Sequence, residues 1–129
     1  MEKGKDKYHN NQYNTFIAES ALISFLKIIS RITVDKNITI YNKNARLLRE
    51  MPNFKVNLGF GLHAGWSIEG AIGSRFKIDM SYLSPNVNMS SRLEGLTKDY
   101  KKPLLFTNSI YNLIVSKKIR NLCRKIDVV

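Results

Sequence analysis

Cysteine is nearly missing from this chain: Cys123 stands alone among 129 residues, which rules out an internal disulfide and suits a reducing compartment. With only His9 and His63 beside it, a closed zinc site of cysteines and histidines cannot be assembled. A serine or cysteine triad lacks its parts for the same reason. No stretch approaches the roughly 20 consecutive apolar residues that a membrane span requires. The opening MEKGKDKYHNNQYN has no apolar core segment and is not a secretory signal. The sequons Asn37-Ile38-Thr39 and Asn88-Met89-Ser90 therefore carry no meaning. Acidic residues are also few, 10 against 21 Lys and Arg, which gives a net charge of +11. The cations are spread along the whole chain rather than massed in one block. Lys, Asn and Ile together fill about a third of it, which marks a compositional bias more than a polyanion-binding surface.

What is present fits one domain of moderate core. Residues 1–13 are polar and without periodicity, and read as a flexible tail. Thr15 to Ile32 form a helix with a narrow polar stripe of Ser20, Ser24, Lys27 and Arg31, so most of its circumference is expected to be buried. Residues 33–53 read as a surface insertion, with a short helix near 43–51 that Pro52 stops. From Phe54 strict alternation predicts a strand: Val56, Leu58, Phe60 and Leu62 on one side, Asn57, Gly59, Gly61 and His63 on the other. The small residues of that second side would let another layer approach. His63 itself reads as a residue at the sheet edge. The glycines of Gly59-Phe60-Gly61 lie inside a strand, with the wrong spacing for a dinucleotide loop and no Walker lysine after them.

The centre of the chain is the run from Arg75 to Tyr100. Phe76, Ile78, Met80 and Tyr82 alternate with Lys77, Asp79 and Ser81 in a strand that returns antiparallel on the segment before it. Ser84 stands at the N-cap position and Pro85 at the first helical position of a helix reaching about Tyr100, with Met89, Leu93 and Leu96 as its core stripe. Asn88 and Arg92, four residues apart, project from one side near the positive end of that helix. An amide beside a guanidinium suits a phosphate, although such a pair is also an ordinary solvated helix face. A short strand over 103–107 and a helix capped by Thr107 or Asn108 follow, and NLCRKIDVV reads as the start of a further strand.

Three motifs, in order and in spacing, carry a resemblance: Leu62-His63-Ala64-Gly65, then Gly70-Ala71-Ile72-Gly73, then Val87-Asn88-Met89-Ser90-Ser91-Arg92-Leu93-Glu94. Together they resemble the C-terminal portion of the class III adenylate/guanylate cyclase catalytic domain, which makes cyclic AMP or cyclic GMP from the triphosphate. The resemblance implies an α+β, ferredoxin-like cyclase fold over residues 14–129, an antiparallel sheet with helices on one face, truncated of its opening and final strands. It implies that Asn88 orients the ribose and that Arg92 meets charge on the α-phosphate. Ser81, seven residues before the Asn, stands where the family selects the base, with Asp79 as a second substrate-binding candidate. A serine there leaves ATP and GTP both open. The family also uses two metal ions, Mg or Mn, on aspartates of earlier strands, and Asp6 and Asp35 match neither position. The resemblance thus implies a partner, a second cyclase domain in a homo- or heterodimer, and a chain inactive alone. It implies no nucleic-acid partner and a site on the cytoplasmic side, whether or not a membrane tether lies elsewhere. The rival readings are a non-catalytic cyclase-like interaction module and a basic RNA-binding α+β domain. The latter would lack the aromatic-rich strand that stacks bases.

Overall fold

The computed structural model describes residues 3–128, with side chains from residue 11 onward. Helix α1 spans Lys3–Val34. It starts twelve residues before the expected Thr15 and takes in residues 3–13 of the expected tail. No proline precedes Pro52, so nothing in the first third of the chain forbids helix. Its burial is far narrower than expected: Ala18 and Leu22 are buried, while Phe16, Ile17, Ile23, Leu26 and Ile28 are exposed. Three short elements follow: α2 (Lys36–Thr39), a 3-10 turn (Tyr41–Lys43) and α3 (Ala45–Glu50). Asp35 and Asn44 cap the two α-helices through their side-chain oxygens, and none of the three buries a residue.

Strands β1 (Phe60–Leu62) and β4 (Leu104–Phe106) pair in parallel, in the register Phe60 opposite Leu104. Strands β2 (Ile68–Gly73) and β3 (Ile78–Leu83) form an antiparallel hairpin, with Ile68 opposite Leu83. The chain is α+β, as expected, but the strands make two separate two-stranded sheets rather than one antiparallel sheet. Alternation over 54–59 does not become strand. A strand needs a ladder partner, and β4 offers only three residues, while the Val56 amide donates instead to Asn42 Oδ1 at 3.0 Å. Nor does the C-terminal segment form a strand. A short helix, α6 (Lys117–Arg120), precedes it, and residues 121–128 run on without helix or strand.

Helices cover both faces of the parallel pair, not one. On the first face lies α4 (Pro85–Asp99). A Cβ added at Gly61 would collide with the Ser90 carbonyl and stand 2.9 Å from Leu93 Cβ, so the α4 backbone sits directly on that glycine. The small-residue side of the strand does admit a layer, and the layer is α4. On the second face Leu62, Leu104 and Phe106 pack against a cluster of Leu22, Ile110 and Ile114, which joins α1 to α5 (Asn108–Leu113) and the residue after it. Phe25 and Phe60 add an aromatic contact with ring centroids 4.9 Å apart. Glu19 fixes the same junction, its Oε1 accepting the Val115 and Ser116 amides at 2.9 and 2.8 Å.

The hairpin projects from this body. Trp66, Ile68, Ile78, Met80, Tyr82 and Leu83 are all exposed, and Phe76 in its turn is 98% exposed. Near the C-terminus Tyr100 Oη donates to Asp127 Oδ2. That bond pushes the phenol up and, seen from the other partner, holds the Asp127 carboxyl below the usual carboxylate range. A depressed carboxyl stabilises the fold above its unfolded-state titration, and that stability is lost as pH falls through the folded-state value. The raised phenol contributes at neutral pH and loses its contribution in alkali. The tether of 121–128 is therefore expected to hold between the two titrations. Tyr100→Phe is expected to raise the Asp127 carboxyl toward its ordinary range, with the Val128 amide and Lys125 still holding it down in part, as read by NMR titration of the side-chain carbonyl.

Candidate functional site

Helix α4 starts as the sequence dictates. Ser84 Oγ accepts the Asn86 and Val87 amides at 3.0 and 3.2 Å, and Pro85 occupies the first turn, where its missing amide costs nothing. At 3.6 residues per turn the helix divides into two functional sides. Asn86, Ser90, Leu93 and Thr97 share the side toward β1, with Leu93 and Thr97 buried. Thr97 is deeper in that stripe than the expected Met89 and Leu96, which are half-buried. Asn88 and Arg92 lie on the opposite side, one turn apart, and both are exposed. The first turn of α4 carries no acidic residue. Among the described residues the ion pairs are Arg31–Asp35, Lys77–Asp79 and Lys98–Glu94, so Arg92 enters none of them. Its guanidinium and the Asn88 amide thus face solvent near a positive helix end, an arrangement that can accept a phosphate and an adjacent hydroxyl.

Ser81 and Asp79 lie on β3, on the hairpin face opposite to that of Met80 and Tyr82. Ser81 is half-buried opposite Gly70. Asp79 is exposed opposite Ile72, and its Oδ2 is 3.0 Å from Lys77 Nζ. Among the described residues no hydrogen bond or ion pair joins either of them to Asn88 or Arg92. The four expected site residues thus form two pairs, one on the hairpin and one on α4.

A polar cluster that the sequence reading passed over stands behind the first turn of α4. His63, just past β1, places Nε2 2.9 Å from Asn86 Oδ1 and Nδ1 2.8 Å from Thr107 Oγ1. Ser109 Oγ is 2.6 Å from Thr107 Oγ1 and 3.3 Å from the same ring nitrogen. Asn86 Nδ2 donates to the Trp66 carbonyl at 2.7 Å. Gly65 makes room for this: a Cβ there would lie about 2.6 Å from Asn86 Nδ2. The His63-x-Gly65 spacing thus serves Asn86, a purpose visible only once residues 23 apart meet. Gly65→Ala is expected to displace the Asn86 amide and destabilise the chain by about 1–3 kcal/mol, read as a lowered urea midpoint.

The metal pair implied by the resemblance finds no cradle here. Among the described residues no three His, Cys, Asp or Glu side chains gather closely enough to hold an ion. The described residues do not fit a metal centre, and none of them is given a metal-binding role below. Cys123 is half-buried, and desolvation pushes its thiol up, away from nucleophilic use. Among the described residues no helix is long and apolar enough to cross a membrane.

No protein-family model matches the chain. An adenylate cyclase of Anabaena cylindrica is 38% identical over 56 residues, covering 43% of this chain and 11% of that protein. Adenylate cyclase 1 of Rhizobium meliloti is 28% identical over 79 residues, 61% of this chain and again 11% of the relative. The chain's likeness is to adenylate cyclases. It spans about a tenth of the length of these curated relatives. Solved structures of a bacterial light-regulated adenylyl cyclase align with 46% of this cyclase-like chain, covering 17% and 18% of theirs, at 37% identity and a TM-score of 0.42.

Proposed function

We propose that this chain supplies the nucleotide- and transition-state-contacting half of a two-domain nucleotide cyclase site, working on the cytoplasmic side in signal transduction. The observation that carries the reading is the pair Asn88 and Arg92, one turn apart on the exposed side of α4, with Arg92 in none of the ion pairs among the described residues. In the proposed reaction the 3′-oxygen of ATP or GTP attacks the α-phosphorus and the bond to the bridging oxygen breaks. The hydroxyl proton passes to solvent, and pyrophosphate leaves with the electron pair of the broken bond. Asn88 holds the ribose so that the attacking oxygen stays in line, and Arg92 faces the charge that grows on the α-phosphate oxygens. Ser81 and Asp79 on β3 are the base-contacting candidates. The ions and their carboxylates come from the partner domain, and the exposed hairpin gives such a partner an apolar surface to meet.

The test mixes this chain with a cyclase domain that carries the two metal-binding carboxylates, and measures cyclic nucleotide and pyrophosphate from ATP and GTP separately. Product is expected from the mixture and not from this chain alone. Product from the pure chain would overturn the half-site reading. The hairpin's exposure also favours a second reading, a non-catalytic module that binds and regulates a cyclase domain. In that case the mixture's activity would be indifferent to Arg92.

A further inference from the structure

Every protonation pattern that satisfies the cluster behind α4 has one feature in common, a proton on His63 Nε2. Asn86 Nδ2 donates to the Trp66 carbonyl, so the amide oxygen is the atom turned to His63. An amide oxygen can only accept, and His63 Nε2 must therefore carry a proton. In the neutral ring Nδ1 is then a bare acceptor, and the Thr107 hydroxyl donates to it at 2.8 Å. Thr107 stands at the N-cap of α5, where a hydroxyl ordinarily accepts a helix amide, yet it makes no side-chain cap bond. Its hydroxyl meets the histidine and Ser109 instead. Ser109 closes the group, its Oγ accepting the Ala64 amide at 3.4 Å and meeting Thr107 Oγ1 at 2.6 Å.

These bonds tie the end of β1, the end of β4 and the start of α5 to one residue of α4, Asn86. That residue is on the inner side of the first turn, and Asn88 is two positions on, on the outer side. Pinning Asn86 therefore sets the rotation of the first turn about its axis, and with it the direction of Asn88 and Arg92. We propose that His63, through the proton on its Nε2, is a positioning residue for the Asn88–Arg92 pair, acting through Asn86. This inference rests on the cyclase reading above.

The experiment again uses the chain assembled with a carboxylate-bearing cyclase domain. His63→Leu and Asn86→Ala are each expected to lower kcat roughly 10–100-fold, the scale of a small misplacement of catalytic groups, with KM little changed. Because the two residues act through one bond, the double variant should be no worse than either single one. His63→Gln, whose amide can still donate from near the Nε2 position, should recover most of the loss. Independently of activity, long-range proton–nitrogen NMR of the chain should show His63 with Nε2 protonated. A bare Nε2, wild-type kcat in His63→Leu, or additive losses would overturn the proposal. If His63→Leu does not fold, the Gln variant and the tautomer measurement decide. Arg92→Ala run in parallel separates the two failures: an active Arg92→Ala chain removes the cyclase reading and this inference together. An inactive one beside a fully active His63→Leu removes the inference alone.

Discussion

Arg92→Ala, in the chain assembled with a carboxylate-bearing cyclase domain, is expected to lower turnover by roughly 10²-fold or more, the usual loss when one donor aimed at transition-state charge is removed. The effect should fall on kcat, because the charge that Arg92 faces is largest as the α-phosphate is attacked, and ground-state contacts to the nucleotide remain. Arg92 is exposed and enters none of the ion pairs among the described residues. Its removal orphans no buried partner, and the fold should be unaffected. Lysine would be a poor rescue, since a point charge cannot reproduce the planar fork that engages two phosphate oxygens. An unchanged rate would favour the regulatory module. Steady-state kinetics with cyclic nucleotide as the readout decides between them.

The largest expected effect on stability is at Ile114. It is the most deeply buried large side chain, 1% exposed, and packs where α1, α5 and the parallel strand pair converge. Ile114→Ala is expected to cost about 2–5 kcal/mol. Among the described residues only Ala18, Leu22, Leu93, Leu105, Ile110 and Ile114 are buried hydrophobics, so a cavity here removes much of the several kcal/mol that holds a domain of this size. Urea unfolding followed by far-ultraviolet circular dichroism measures it. Substituting exposed Phe76 should change the midpoint little, since that ring touches mainly water.

Local chemistry made some elements legible from residues alone. Ser84-Pro85 announced α4 and the alternation from Phe76 to Tyr82 announced the hairpin, because caps and period-two patterns act within a few positions. Alternation failed at 54–59, where the residue pattern was suitable but a ladder partner was wanting, and the strand expected from residue 121 onward did not form either. The extent of α1 escaped for the converse reason: apolar periodicity reports burial, and a largely solvated helix need not show it. Asn88 and Arg92 were identifiable as a pair because i and i+4 is a local relation. His63 was not. Its partners Asn86, Thr107 and Ser109 lie 23, 44 and 46 residues away, and a lone histidine two positions from a glycine has no local signature of such a role.

The contact of α1 with the other end of the chain has a consequence for synthesis. Leu22 meets Ile110 and Ile114, and Glu19 receives the Val115 and Ser116 amides. At ordinary translation rates, roughly 5–20 residues per second, α1 leaves the ribosome about 5–20 s before those partners exist. During that interval Leu22 and its neighbours have nothing native to cover them. The nascent chain is then a candidate for chaperone capture, and slowing elongation after residue 34 would lengthen that exposure.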